Sequence, residues 1–531
     1  MTTEQRYVAP AALTSLADSL RGRLTTPDDP GYDAERSPWN LAVDQRPAAI
    51  AHPAGVDDLQ AILAFARDSG ATVTVQPNGH GASGSLDGAI LTRPAAFDRL
   101  EIDADARTAV VGAGVQWGAV IAALDGTGLV VPSGTSRVVS PAGYLLGGGH
   151  SWLSRWAGLG AQSLRAAWIV RPDGTHERVD DASDPDTMWA LRGAGGTVGI
   201  VTELEIDLLE APTLFGGSLV FSAADGPAVL RAVRDAAAGA PEGLGLFVST
   251  MRMPDAPMLP AEVRGRSFTT VDVLARAEAD LAPLADLRAV ATPVREQLGA
   301  TTQAAMAAMS MEPEDPSPSR GSSIALDALP DRAIDELLEW RALPEQAALI
   351  GVTMRMLGGA LDAPQRPGFA TLAGASWLSM GLAPMFPGAP PEAGAASLAG
   401  LDALLRPHAS ERMVPTFLGE DDTLERCATA DDLARLALVP DRIAVVEAGG
   451  TQFLAARTAE FDKLLEGKTN AQKRTLMREM NDHWNTKFQG AGAEGIVKAA
   501  EIATKSTCNK YHLVYYKGAS GGDLTKVDTS K

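Results

Sequence analysis

Cysteine is nearly absent: Cys427 and Cys508 are the only two in 531 residues. That excludes a disulfide framework and a cysteine-ligated zinc site. Lysine is missing before Lys463, and tyrosine is missing from 213–450. No long uncharged apolar run occurs, so no membrane span is expected. Positive charge is scarce. The net charge is −20, with no basic stripe, which excludes nucleic acid and an anionic membrane surface as partners. The opening Met1-Thr-Thr-Glu-Gln-Arg lacks the basic-then-apolar order of a signal peptide, so a cytoplasmic location is expected. His52 and His176 have no ligand spacing around them, and no metal site is expected.

What is present describes a globular protein, 45% hydrophobic and 21% charged, too long for one core. Composition changes at Lys463. From there the chain carries twelve basic and seven acidic side chains, among them all ten lysines. The segment 463–531 is either a native surface appendage or a foreign, recombined one. The abrupt change favours the second, and no chemistry is expected there.

Four glycine-rich segments stand out: Val75-Gln-Pro-Asn-Gly-His-Gly81, Pro132-Ser-Gly-Thr-Ser136, Gly143-Tyr-Leu-Leu-Gly-Gly-Gly-His150 and Arg192-Gly-Ala-Gly-Gly-Thr-Val-Gly199. Glycine lets backbone approach a ligand closely and presents N–H groups to phosphates. Four such loops indicate a large, flat, phosphate-bearing cofactor touched from several sides, and the histidine inside the first indicates a flavin. A Rossmann site is disfavoured. Gly112-Ala-Gly-Val-Gln-Trp-Gly118 misses that fingerprint's spacing and is followed by no acidic residue after a second strand.

Periodicity predicts a helix from Val56, a strand at Thr72–Gln76, and a strand from Thr108 with a helix from Trp117. A hairpin is predicted over 164–179, a short helix over 186–191 capped by Asp184 or Asp186, and a strand from Ile200. Beyond Thr213, helices are expected at 225–237, 271–285 and 330–342. Strands are expected at 218–221, 244–251, 348–356 and 375–380, with a loop over 306–322. Helices and strands mix without a strict βαβ rhythm, so the fold class is α+β.

Between 40 and 440 the sequence resembles the berberine-bridge-enzyme-like FAD-linked oxidases of the vanillyl-alcohol-oxidase / p-cresol-methylhydroxylase superfamily. Asn78-Gly-His-Gly, Gly134 through Arg155, Trp189 through Thr202, Leu357-Gly-Gly-Ala and Phe417-Leu-Gly-Glu carry the resemblance, in the family's order. It implies a two-subdomain FAD-binding domain of the p-cresol methylhydroxylase type over 1–212. An antiparallel-sheet substrate domain covered by helices would follow over 213–411, then a C-terminal return over 412–462. It implies a single covalent bond from His80 to the flavin 8α-methyl carbon. Pro77, Asn78, Gly79, His80, Gly81 and Ala82 would cradle the pyrophosphate. Gly134, Thr135, Ser136, Val139, Ser140, Gly143, Gly147, Gly148, Gly195, Gly196, Gly199, Ile200 and Val201 would line the ring and adenosine. Valine at 139 resembles the oxygen-reactive type, which implies an oxidase passing electrons to O2.

Three departures bear on mechanism. Ser136 stands where bicovalent members link a cysteine. Val414-Pro-Thr416 stands where many members carry Tyr-x-Asn, so the usual tyrosine base is missing. The family's terminal segment is absent after Ile443. Candidates for the vacant role are His150, which either faces the flavin or contacts a helix start, and Arg355, which either binds a substrate anion or forms an ion pair. A histidine base would give a pH limb near ~6–7. Glu420, Asp421 and His408 read as solvated or loop residues. The expected function is an FAD-dependent oxidase of an alcohol, sugar or secondary-metabolite ring, as a monomer or homodimer. A flavin dehydrogenase, an oxidative cyclase or a catalytically decayed flavin-binding scaffold are the alternatives.

Overall fold

The structure is a computed structural model that describes residues 9–439, apart from Ser83, Ser85, 256–262, Met311, 386–389, 420–421 and Thr423. The side chains of Pro391, Ala437 and Leu438 are also outside the description. The expectations for 463–531, Glu420 and Asp421 lie outside the described residues.

The N-terminal half holds two main sheets, besides a short pair of strands, Leu129–Val130 with Leu209–Glu210. The first has four strands in the order Arg23–Thr25, Ala49–His52, Ile90–Thr92, Val73–Val75, and its last two pairings are parallel. Helix Val56–Ser69 lies against it and buries Leu59, Ile62, Leu63 and Ala66, the 3.6-residue stripe read from the sequence. Asp58 is buried in the same helix. Its carboxylate accepts from the N–H groups of Arg21, Gly22 and Ala54 at 2.8, 2.8 and 2.7 Å, tying the entering chain down. The second sheet is antiparallel, in the order Leu100–Asp103, Thr108–Gly112, Ile200–Asp207, Leu164–Val170, His176–Asp180. Helices Trp117–Leu124, Pro141–Leu146 and Pro185–Ala194 share its core. Of the two aspartates proposed to cap the last helix, Asp184 does so, accepting from the Thr187 amide at 3.0 Å.

The third sheet has seven antiparallel strands, in the order Arg295–Thr301, Leu214–Ser222, Ser267–Ala275, Leu244–Arg252, Gly351–Met356, Trp377–Pro384, Ser319–Leu326. One face packs on helices Gly226–Ala237, Asp331–Ala342 and Pro391–Leu405. The opposite face meets Trp152 and Leu153 of the glycine-loop half through Phe247, Leu274 and Leu214.

Three expectations fail in this sheet. The helix expected at 271–285 begins instead as strand Ser267–Ala275. Thr269, Val271, Val273 and Ala275 are buried at every second position, and the β-branched run suits the pleat. The alanine-rich stretch after it supplied the helical appearance. Strand Arg295–Thr301 escaped notice because it is a mostly exposed edge without alternation. The loop expected over 306–322 is partly helix Gln303–Met309 and partly strand Ser319–Leu326.

Residues after 412 contact the first half. Thr416 donates to the Gly147 carbonyl from its amide (3.0 Å) and hydroxyl (2.8 Å). Arg435 pairs with Asp186 at 2.8 Å and lies over the Trp189 ring.

Candidate active site between the two halves

The first glycine loop is a tight turn. Gly79 has φ +76°, and an added Cβ would lie 2.6 Å from Pro38 Cβ and 2.7 Å from Gln76 Oε1, so only glycine fits. Asn78 fixes the turn: its amide donates to the Val138 carbonyl, and its Oδ1 accepts from the His80 N–H at 3.2 Å. The Ala82 amide is taken by the Gly79 carbonyl, and Pro77 has none. No hydrogen bond within the described residues engages the amides of Asn78, Gly79 and Gly81. At Gly81 an added Cβ would meet nothing within 4 Å.

The His80 ring lies against Trp39, centroids 4.1 Å apart, and its buried Nδ1 has no partner. Burial lowers its pKa, opposed by the charge of Glu312. It is therefore neutral at neutral pH. Glu312 belongs to a segment bonded to the second glycine loop and to Trp39. Ser310 donates to Thr135 O at 3.1 Å, Arg137 bonds Glu314 at 3.1 Å, and Trp39 Nε1 donates to Glu314 O at 3.2 Å. Glu312 itself accepts from the Thr135 hydroxyl.

The second loop leads into helix Pro141–Leu146. Ser140 caps it, accepting from the Ala142 amide at 3.2 Å and donating to Ala113 O at 2.9 Å. The carbonyl of Val139 takes the Trp117 amide at 2.9 Å. Ser136 is buried with its Oγ unpartnered. At Gly143 an added Cβ would meet open space, whereas one at Gly148 would meet Ala370 Cβ at 2.9 Å. Gly195 packs on Leu146 and Gly199 on the Val170 carbonyl, while Gly196 is half-buried beside them. Ile200 and Val201 point into the core. This segment supports the site from below.

Tyr144 was not singled out in the sequence. Its ring is wedged against Gly134, Gly149 and Gly160, and Trp117 meets it edge-to-face at 5.6 Å. Its hydroxyl is buried and unpartnered, and burial pushes its pKa up against the opposing charge of Arg355. It stays a neutral phenol. No spacing rule flags it, because its three glycines converge only in the fold.

On the facing sheet one row runs across neighbouring strands through Gln297, Ser218, Asp272, Phe247, Arg355 and Leu378. The Arg355 guanidinium lies over Phe247 at 4.6 Å and Phe417 at 5.9 Å, and its Nε is buried without a partner. Trp152 stacks on Phe247 at 3.7 Å. His150 is 2% exposed, 5.8 Å from Phe247 and 6.4 Å from Phe417, with neither ring nitrogen bonded. Helix Ser154–Ala157 starts four residues later, so His150 does not cap it. Burial and then Arg355 push its pKa well below 6.5, which leaves no histidine limb at pH 6–7. Asp272 is pushed up to about 6 by burial, partly offset by Ser218. Arg355 forms no ion pair among the described residues, unlike one reading of the sequence.

The residues fit a flavin. His80, Ser136, Tyr144, His150, Trp152 and Arg355 each present a buried polar atom without a partner, and they come from both halves. A folded protein normally satisfies such groups internally. Glu312 acts electrostatically on both His80 and Arg355. No group of three metal-ligating side chains occurs among the described residues. No helix among them is long and apolar enough to cross a membrane.

Residues 47–180 match the family described as FAD binding domain. (R)-6-hydroxynicotine oxidase of Paenarthrobacter nicotinovorans is 32% identical over 196 residues, which is 36% of this chain and 43% of that protein. Glucooligosaccharide oxidase of Sarocladium strictum is 31% identical over 35% of this chain and 38% of its own length. The matched stretches thus span less than half of these relatives. Among solved structures, 6-hydroxy-D-nicotine oxidase from Arthrobacter nicotinovorans superposes with a TM-score of 0.69 at 22% identity, over 82% of this chain and 96% of that one. A berberine-bridge-enzyme-like protein of Physcomitrella patens gives 0.70 at 18%, over 80% and 95%.

Proposed function

We propose that this chain, which carries an FAD-binding domain and has the fold of the berberine-bridge-enzyme-like FAD-linked oxidases, is itself an FAD-dependent oxidase of a small molecule. The observation that carries the reading is the cluster of unpartnered buried polar atoms between the two halves. FAD, when bound, supplies the electron sink for a hydride leaving a substrate carbon and passes the electrons to O2 as hydrogen peroxide.

His80 holds the flavin covalently through Nδ1, which is unpartnered and belongs to a neutral ring. Ser136 offers no thioether, so the link is single. The amides of Asn78, Gly79 and Gly81 receive the pyrophosphate. Tyr144, a protonated phenol, donates toward the ring system. Substrate enters between Phe247, Phe417 and His150. His150 accepts a hydrogen bond from its hydroxyl or amine as a neutral imidazole. Arg355 would stabilise negative charge on the bound substrate. Val139 leaves the flavin open to oxygen. A cytoplasmic site of action and a place in secondary metabolism belong to the same proposal.

Denaturing purified protein in acid tests the cofactor assignment. Flavin absorbance is expected to stay with the precipitated wild-type chain and to appear in the supernatant for His80→Ala. Release of all flavin from wild type would remove His80 as the linkage site. Peroxide formation from a panel of alcohols, amines and ring acids tests the activity.

A further inference from the structure

Arg93, Arg155, Arg171, Arg192 and Arg341 are buried, and the fold gives the guanidinium of each at least two hydrogen-bond acceptors, although Arg341 Nε has none. Arg192 meets Asp181 through two bonds of 2.8 and 2.7 Å and the carbonyls of Leu164 and Pro367. Arg155 donates to the carbonyls of Leu244, Leu357 and Ala240. Arg171 pairs with Glu177 and Asp184. Arg93 bonds the carbonyls of Gln76, Glu35 and Ser37, and Arg341 those of Gln346 and Leu349. Arg355, half-buried with its Nε enclosed, has no such acceptor. Only two phenyl faces hold it, and no hydrogen bond or ion pair among the described residues reaches it.

A desolvated guanidinium without an anion is costly, and its flat fork matches a planar oxyanion. No group among the described residues completes it. His150 and Tyr144 are neutral, and Glu312, the carboxylate whose charge it feels, is engaged by Thr135. The walls around it are flat: Phe247, Phe417, the His150 ring and the Trp152–Phe247 stack. The polar pair in the next row, Ser249 and Thr353, is closed on itself at 2.8 Å. Such a space suits a flat ring. It offers few of the separate donors and acceptors that a sugar's hydroxyls require.

We infer that the substrate is a planar, ring-bearing acid whose carboxylate is clamped by Arg355 between Phe247 and Phe417. This rests on the oxidase reading given above. The competing source of planar negative charge is the reduced flavin's own pyrimidine edge, and the experiment separates the two.

The holoprotein is titrated with benzoate, benzamide and glucose, followed by flavin absorbance and, independently, by calorimetry. Benzoate is expected to bind on the order of 10-fold or more tighter than benzamide, with glucose weaker still. Loss of one partner from a desolvated charge pair corresponds to a weakening of benzoate on the order of 10²-fold in Arg355→Met, with Arg355→Lys between. Flavin content and thermal unfolding check that the variants fold. The wild-type preference for benzoate over benzamide needs no variant. Equal affinity for benzoate and benzamide, or a preference for glucose, overturns the inference. So does an Arg355→Met protein that binds benzoate normally while its flavin reduction potential falls, since Arg355 would then serve the cofactor. If the chain carries no flavin, calorimetry with benzoate still reads the clamp, so failure of the oxidase reading is seen separately.

Discussion

Replacing Gly149 by alanine strikes the wall that positions Tyr144. Gly149 has φ +68°, and its new Cβ would stand 2.4 Å from the Tyr144 ring edge and 2.6 Å from the ring carbon bearing the hydroxyl. The ring has little room to retreat, because Trp117 meets it edge-to-face and Gly160 leaves no spare space on the same side. The left-handed backbone costs an alanine roughly 1–2 kcal/mol, and overpacking a tight site adds about 1–3 kcal/mol. The sum, about 2–5 kcal/mol, corresponds to a drop in Tm of roughly 4–20 °C at about 2–4 °C per kcal/mol for domains of 150–250 residues. The paired variant is Gly81→Ala, where φ is not positive and the Cβ meets nothing. Its apoprotein is expected to unfold within about 0.5 kcal/mol of wild type. Its loaded form is expected to hold less FAD, because that open space is where backbone approaches phosphate. Apparent Tm at one scan rate, measured before and after FAD loading, reads both. An unchanged Tm for Gly149→Ala, or a Gly81→Ala apoprotein at least as destabilised, would refute the packing argument.

Peptide mapping of the flavinylated chain should find flavin on the peptide bearing His80 and none on 132–145, because Ser136 has no thiol. Asp272→Asn should stabilise the protein at neutral pH. A folded-state pKa near 6 means that the native state favours the protonated acid, so stability is lost as pH rises from the unfolded value of 3.8 to about 6. The gain, at most about 3 kcal/mol for two pKa units, should vanish near pH 4 in a denaturation series. His150 has the opposite sign. Its folded pKa is depressed, so acid favours the unfolded state below ~6.5, and His150→Gln should flatten that part of the stability curve. In kinetics, a wild-type kcat/KM limb at pH 6–7 that disappears in His150→Gln would contradict the neutral-imidazole role.

The sequence by itself determined the cofactor class, the α+β character and several elements of the first half. Those features are local. The Asn78 Oδ1 bond to the His80 amide spans two residues, the Asp184 cap acts across three, and the stripe on Val56–Ser69 needs only helical geometry. Strand Ser267–Ala275 shows where local reading stops, since its alternation gains meaning only from the two strands it separates. Tertiary structure alone decided the chemistry of the cleft. Arg355, Phe247, Phe417 and Glu312 lie far in sequence from one another and from the Tyr144–His150 segment, and no spacing brings them together. Whether a histidine is a base or a neutral acceptor depends on its burial and on the charge beside it. His150 owes both to partners about a hundred or more residues away, as Arg355 owes its bare guanidinium to two phenylalanines from different segments.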